Sequence, residues 1–179
     1  MTDELTQLAL AAGAGDRVAL SEFIRRSQSD VWRFIARMAG TGAADDLTQD
    51  TYLRALGALP SFQGRASART WLLSIARRVV VDRVRYDVVR PRLIGMDSAD
   101  LEVLAAGSGD PDRIVVEEAL ATLDPDRRVA LVLTQLMGFS YAEAADICGC
   151  PVGTVRSRVA RARADLMASD EWETTGSYA

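Results

Sequence analysis

Arg156, Ser157, Ala160 and Arg161 fall together on one side of a helical wheel, away from a narrow stripe of Val152, Val155, Val159, Ala162 and Leu166. Residues three and four apart share a helix face, so the segment reads as a helix with an apolar back and an arginine-bearing front. Arg158 and Arg163 flank that front. A guanidinium offers a rigid fork of donors that matches a guanine edge or a phosphate, while Ser and Ala allow a base to come close. An ordinary solvated arginine-rich helix would share this face, so what precedes it decides the reading. Ser140-Tyr-Ala-Glu143 is a capping box, opening a short helix with Tyr141, Ala144, Ala145 and Cys148 inward, and Gly149-Cys150-Pro151 makes a turn. A capped short helix, a tight turn and an arginine-studded second helix form the helix-turn-helix pattern, which seats its second helix in the DNA major groove.

Two further clusters could do chemistry. In the loop Ser61–Ser67, Phe62, Gln63, Arg65 and Ser67 surround Gly64, beside a helix that carries Arg77, Arg78 and Arg85. Such a loop supplies the stacking and hydrogen-bonding groups that hold an unpaired base. Trp71 falls on the apolar stripe of that helix with Leu72, Ile75, Ala76 and Val79, and is read as core. Further upstream, Asp46, Gln49 and Asp50 lie on a helix that also presents Leu47 and Leu53. That pattern suits a helix docking against another helix, with polar residues setting register; it equally describes an ordinary acidic helix surface.

Composition removes most catalytic classes. The chain has no histidine, and its two cysteines, Cys148 and Cys150, cannot complete a tetrahedral zinc site alone. No glycine-rich phosphate loop or nucleophile elbow is present, so neither a cofactor nor a metal is expected. A carboxylate-based hydrolase remains as an enzyme reading, and it would need a deep pocket with paired acids. Cys148 reads as a small buried apolar residue. No apolar run is long enough to span a bilayer, and the start MTDELTQLAL lacks the basic flank of a signal peptide. The expectation is a cytoplasmic chain without membrane insertion.

The net charge of −4 is unevenly distributed. Every basic residue is arginine; eight lie between Phe62 and Arg92 against Asp82 and Asp87, and four between Thr154 and Arg163 against none. Between Asp97 and Glu118 stand seven acids against Arg113. DNA responds to the field within about a Debye length, so two basic segments parted by an acidic one favour nucleic acid despite the sum.

Helical periodicity positions these groups. It predicts a helix over 16–39 with Leu20, Phe23, Ile24, Val31, Phe34, Ile35 and Met38 inward, ended by Gly40 and Gly42. A second is expected over 43–56, with Leu47, Leu53 and Leu56 inward, closed by Pro60. A third runs over 68–85, where Arg78, Asp82 and Arg85 share a face and can pair. The stretch 91–112, with three glycines, two prolines and many acids, reads as a linker. Beyond it come a segment over 115–123, then a helix started by Asp124-Pro125 with Val129, Val132, Leu133 and Leu136 inward and ended by Gly138, then the helix-turn-helix, its last helix running to about Met167.

The sequence FSYAEAADICGCPVGTVRSRVARARADL resembles the promoter −35-binding helix-turn-helix of extracytoplasmic-function (ECF) sigma factors, which belong to the sigma-70 family of RNA polymerase subunits. DDLTQDTYLRAL resembles the segment with which that family grips the coiled coil of the polymerase β′ subunit. FQGRASARTWLLSIARRVVVDRVR resembles its −10 recognition and melting region. Together these cover about 16–166. Asp50 stands where many members carry Glu, and Arg78 where an Asn is common. The resemblance implies an all-α protein of two small helical domains, sigma regions 2 and 4, joined by a flexible acidic linker. Region 2 would span 1–92 as a four-helix domain, the linker 93–114, region 4 115–171, also with four helices, and a tail 172–179. It implies a non-catalytic factor that binds core RNA polymerase, recognises promoter −10 and −35 elements and helps melt DNA. Its partners would be the β′ coiled coil and the β subunit, duplex promoter DNA, the melted −10 strand and an anti-sigma factor, and its acidic linker would thread through the polymerase. Implied −35 contacts are Thr154, Arg156, Ser157, Arg158, Ala160, Arg161 and Arg163. Implied −10 contacts are Phe62, Gln63, Arg65, Ser67, Arg77, Arg78 and Arg85. Implied polymerase contacts are Asp46, Leu47, Gln49, Asp50, Leu53 and Arg54. The rival reading is a conventional helix-turn-helix regulator whose N-terminal half senses a signal or dimerises; such a protein needs neither the polymerase-gripping motif nor the second arginine-rich segment.

Overall fold

Most helices begin where an oxygen-bearing side chain can cap them. Asp3 accepts from the backbone of Thr6, Asp16 from Val18 and Ala19, and Asp124 from Asp126 and Arg127, each satisfying donors that the first helical turn leaves open. Partial burial pushes the Asp3 carboxyl up, but the Thr6 side-chain and backbone hydrogen bonds outweigh it and hold it below its ordinary value. The Ser140–Glu143 capping box is closed in both directions. The computed structural model describes residues 3–89 and 111–176. Among them there is no strand, and the chain is all-α.

The chain divides into two compact units, Met1–Leu104 and Ala105–Ala179. The first carries α1 (Glu4–Gly13), α2 (Arg17–Ala39), α3 (Thr41–Ala58), a 3-10 turn (Leu59–Ser61) and α4 (Ala68–Val89). The second carries α5 (Pro111–Thr122), α6 (Pro125–Leu131) running into a π-turn (Val132–Leu136), α7 (Tyr141–Cys148) and α8 (Val152–Gly176). Most of the segment read as a linker lies outside the described residues. Its end does not: α5 begins at Pro111, because proline has no N–H to lose at the first helical position. The last helix also runs past Met167, to Gly176.

In the first unit α2 packs against α1, α3 and α4. Its buried face is Ala19, Phe23, Ser27, Val31, Phe34, Ile35, Ala36 and Met38, while Leu20 and Ile24 are only half-buried. The hydroxyls of Ser27 and Tyr52 meet 2.7 Å apart between α2 and α3. Gly40, at φ +81°, makes the corner into α3 alone; Gly42 is already helical. On α3 the expected core is wrong in two places. Leu53 is 62% and Leu56 39% exposed, and small residues, Ala44, Thr51 and Ala55, fill the buried face beside Leu47. Small side chains let α3 lie close to its neighbours, which turns the longer leucines outward. On α4, Asp82 does not pair within its own helix but bonds Arg54 of α3 at 2.6 Å.

In the second unit α6 and α7 both pack on α8. Arg128 donates to the carbonyls of Ala121 and Leu123 at the end of α5, and burial of its guanidinium lowers its pKa. The π-turn inserts a residue into the helical register, marked by the Met137 N–H donating to the Val132 carbonyl. Val129, Val132 and Leu133 stay buried, but Leu136 swings out to 43% exposure and Phe139 is buried instead.

Candidate nucleic-acid interface

The turn between α7 and α8 closes on Gly149 in the left-handed conformation, φ +64°, where a side chain would be strained. It sets α8 with Val155, Val159 and Ala162 fully buried. The opposite face of α8, with Arg156, Ser157, Ala160 and Arg161, is exposed. The Arg156 guanidinium lies 5.9 Å from the centre of the Tyr141 ring, a cation–π contact that steadies it while leaving it in solvent. Ser157 donates to the Thr154 carbonyl at 2.9 Å, and Thr154 is half-buried.

The flanking arginines face elsewhere. Arg158, 24% exposed, ion-pairs with Asp126 of α6 and donates to the Cys150 sulfur at 3.6 Å. Arg163 hydrogen-bonds Gln135 in the π-turn. Arg127 of α6 bonds Asp165 of α8 at 2.6 Å. Side-chain links on either side of the exposed face thus tie α8 to the segment α6–π-turn. No local pattern announces the Asp126–Arg158 pair, whose partners stand far apart in sequence.

In the first unit, Ser61, Phe62, Gln63, Arg65, Ala66 and Trp71 line an open cleft of about 380 Å³. Trp71 is not core: it is half-exposed, and its ring centre lies 4.8 Å from that of Phe62 at 38°. Two aromatic faces meeting at an open mouth, with an exposed amide and guanidinium on the rim, form a receptacle for a flat heterocycle. Trp71, Arg78 and Arg85 follow one another at seven-residue spacing along α4, which keeps them near one face about 10 Å apart. Arg78 and Arg85 are exposed and Arg77 half-buried. Ser67 is already engaged, exchanging hydrogen bonds with Thr70 to cap α4.

On α3, Asp46, Gln49, Asp50, Leu53 and Arg54 are exposed, but Leu47 is 3% exposed and cannot meet a partner directly. Gln49 opens into a second cleft, of about 490 Å³, with Gln28, Ser29, Trp32, Asp45 and Thr48. There the Trp32 indole donates to Asp45 at 2.7 Å. Sequence reading passed over Trp32 because it lies beside the buried stripe of α2. Among the described residues no cluster of His, Cys, Asp or Glu could hold a metal ion, and no helix is long and apolar enough to cross a membrane.

Comparison with known proteins sets these surfaces in context. Residues 23–88 match the family model of sigma-70 region 2, and residues 113–166 that of sigma-70 region 4. The ECF RNA polymerase sigma factor SigC of Mycobacterium tuberculosis is 53% identical over 173 residues, spanning 94% of this chain and 92% of its own. Among solved structures, CnrH in complex with the cytosolic domain of CnrY is 29% identical at a TM-score of 0.73, covering 94% of this chain and 98% of that one. The sigma factor RpoE of Bartonella quintana, in complex with the anti-sigma factor NepR, is 30% identical at a TM-score of 0.65, covering 83% and 94%.

Proposed function

The chain belongs to the ECF sigma factors of the sigma-70 family, and from that membership we propose how its two units divide the work of promoter recognition. It is an alternative sigma factor: it binds core RNA polymerase and directs promoter recognition, DNA melting and initiation. It performs no chemistry itself; the polymerase makes the RNA. The second unit reads the −35 element, with Arg156, Ser157, Ala160 and Arg161 of α8 in the major groove, while Arg158 holds the helix and does not touch DNA. Arg163, held by Gln135, contacts a phosphate.

The first unit grips polymerase through Asp46, Gln49, Asp50, Leu53 and Arg54, with the Trp32 cleft extending that surface onto α2. It takes a base of the melted −10 strand in the open cleft against the paired rings of Phe62 and Trp71, with Gln63 and Arg65 on its edge and Arg78 and Arg85 along the backbone. An anti-sigma factor restrains it, a reading supported by relatives solved in complex with the cytosolic domain of CnrY and with the anti-sigma factor NepR. Its place of action is the cytoplasm, where the template is.

The observation that carries this reading is the aromatic cleft in the first unit, continuous with an arginine row, in a chain whose second unit already bears a DNA-reading helix. A regulator needs only the second. The test is selection of genomic fragments by core polymerase, by the chain, and by the two together. The mixture should retain fragments sharing two separated sequence blocks, and neither component alone should. Retention of the same fragments by the chain alone would favour the regulator.

A further inference from the structure

Helix α1 lies outside the part of the chain that matches sigma-70 region 2, and none of the proposed contacts uses it. Yet it runs along the whole segment that forms the aromatic cleft, antiparallel to it. At the start of that segment, a methyl group on Gly13 would sit 2.5 Å from the Leu59 carbonyl, so helix and turn are in closest approach. In the middle, Gly64, at φ +67°, packs against Leu10 and the Thr6 methyl at 3.5–3.8 Å from where its side chain would begin. At the end, the Thr6 hydroxyl accepts the N–H of Ala68 at 2.7 Å. The same hydroxyl donates to Asp3 at 2.6 Å, so both its hydrogen-bonding directions are used.

Thr6 is 1% and Ala68 0% exposed, so water cannot replace the bond between them. The Ala68 N–H is one of those the first turn of α4 leaves open, and Thr6, 62 residues away, is what satisfies it. The loop between Leu59 and Ala68 has no ladder or helix of its own over 62–67, and a segment of that kind keeps one conformation only when something else fixes it.

We propose that α1 is a positioning element for the −10 cleft, with Thr6 as the residue that sets where the loop Phe62–Ser67 rejoins α4. The inference rests on the loop's role in promoter opening proposed above. Thr6 itself touches no DNA. It raises the fraction of molecules whose cleft is ready when the strand separates, and a cleft ready in a smaller fraction captures the strand in proportion less often.

Thr6→Val keeps the side-chain shape, loses both hydrogen bonds and leaves the Ala68 N–H buried without an acceptor. Holoenzyme reconstituted with the full-length variant should open a duplex promoter about tenfold less well. Core affinity, and transcription from the same promoter carrying a mismatched bubble at −10, should stay at wild-type levels. Thr6→Ser, which keeps the hydroxyl, should restore opening, and Gly13→Ala, which forces α1 off the Leu59 carbonyl, should repeat the Thr6→Val pattern. Permanganate reactivity of thymines at −10 reads opening directly. Equal activity of Thr6→Val and wild type on both templates would overturn the proposal. So would equal loss on both, which would make α1 a support of the fold alone. Wild-type holoenzyme inactive on both templates would instead overturn the sigma-factor reading beneath it.

Discussion

Arg158 separates two jobs that one helix face could be given. It stands in the arginine-rich run of α8, yet its guanidinium turns back to Asp126 of α6, and its side chain is only 24% exposed. Arg158→Ala removes the ion pair, and water can reach the half-exposed Asp126 carboxylate in its place, so the loss is that of a partly screened pair and its packed stem. That amounts to about 1 kcal/mol. In a helical unit of this size it corresponds to a fall of roughly 4–8 °C in melting temperature. Arg156→Ala removes an exposed side chain with a long cation–π contact to Tyr141, and should lower the melting temperature less than Arg158→Ala does. Its effect should fall on DNA, costing about 1–3 kcal/mol and relaxing preference at one −35 position. Calorimetry of the full chain, with Asp126→Asn completing a double-mutant cycle, gives the stability side. Selection from a randomised −35 element and salt titration of binding give the other. Arg158→Ala should keep both the consensus and the salt slope. A variant that melts like wild type and loses about one unit of salt slope would put Arg158 on a phosphate and refute the clamp.

Reversing charge at Asp46 together with Gln49→Ala should weaken core polymerase binding in a titration while helicity stays intact; unchanged affinity would detach α3 from that role. Exchanging Phe62–Ser67 for a Gly/Ser stretch should abolish transcription from duplex promoters yet spare much of it on templates already melted at −10, as run-off on paired templates would report. Tyr52 should ionise late: burial pushes it up to about 12, the Ser27 hydrogen bond opposes without cancelling, and Asp30 adds to the rise. Because its folded value is raised, its contribution to stability is complete below the ordinary value of 10.0 and is lost as pH climbs toward 12. Absorbance at high pH should show a late phase that Tyr52→Phe removes.

Helix boundaries were legible wherever a local signal sets them. Asp16, Asp124-Pro125, the Ser140–Glu143 box and Gly149 act within four residues, so sequence suffices to find them. The apolar stripe of α8 and its exposed arginine face follow from the same periodicity. What escaped depends on partners far away. Leucine is ordinarily an inward residue, and only the close approach of α3 to its neighbours reveals that Ala44, Thr51 and Ala55 are the inward set. Leu136 fits a 3.6-residue period and is expelled by a π-turn that carries no signature of its own. Trp71 sits on the apolar stripe of α4 but at its edge, where Phe62 from the preceding loop meets it. Arg158 looks like its neighbours until Asp126 is brought beside it.

As a sigma factor, this chain should confer promoter-specific initiation on a core polymerase that lacks it. Run-off transcription on a fragment retained by the mixture, with purified core polymerase and with or without the chain, tests it most directly. A discrete transcript should start downstream of the two shared sequence blocks and appear only when the chain is present. A chain that binds both core polymerase and the fragment, yet yields no transcript above that of core alone, would contradict it.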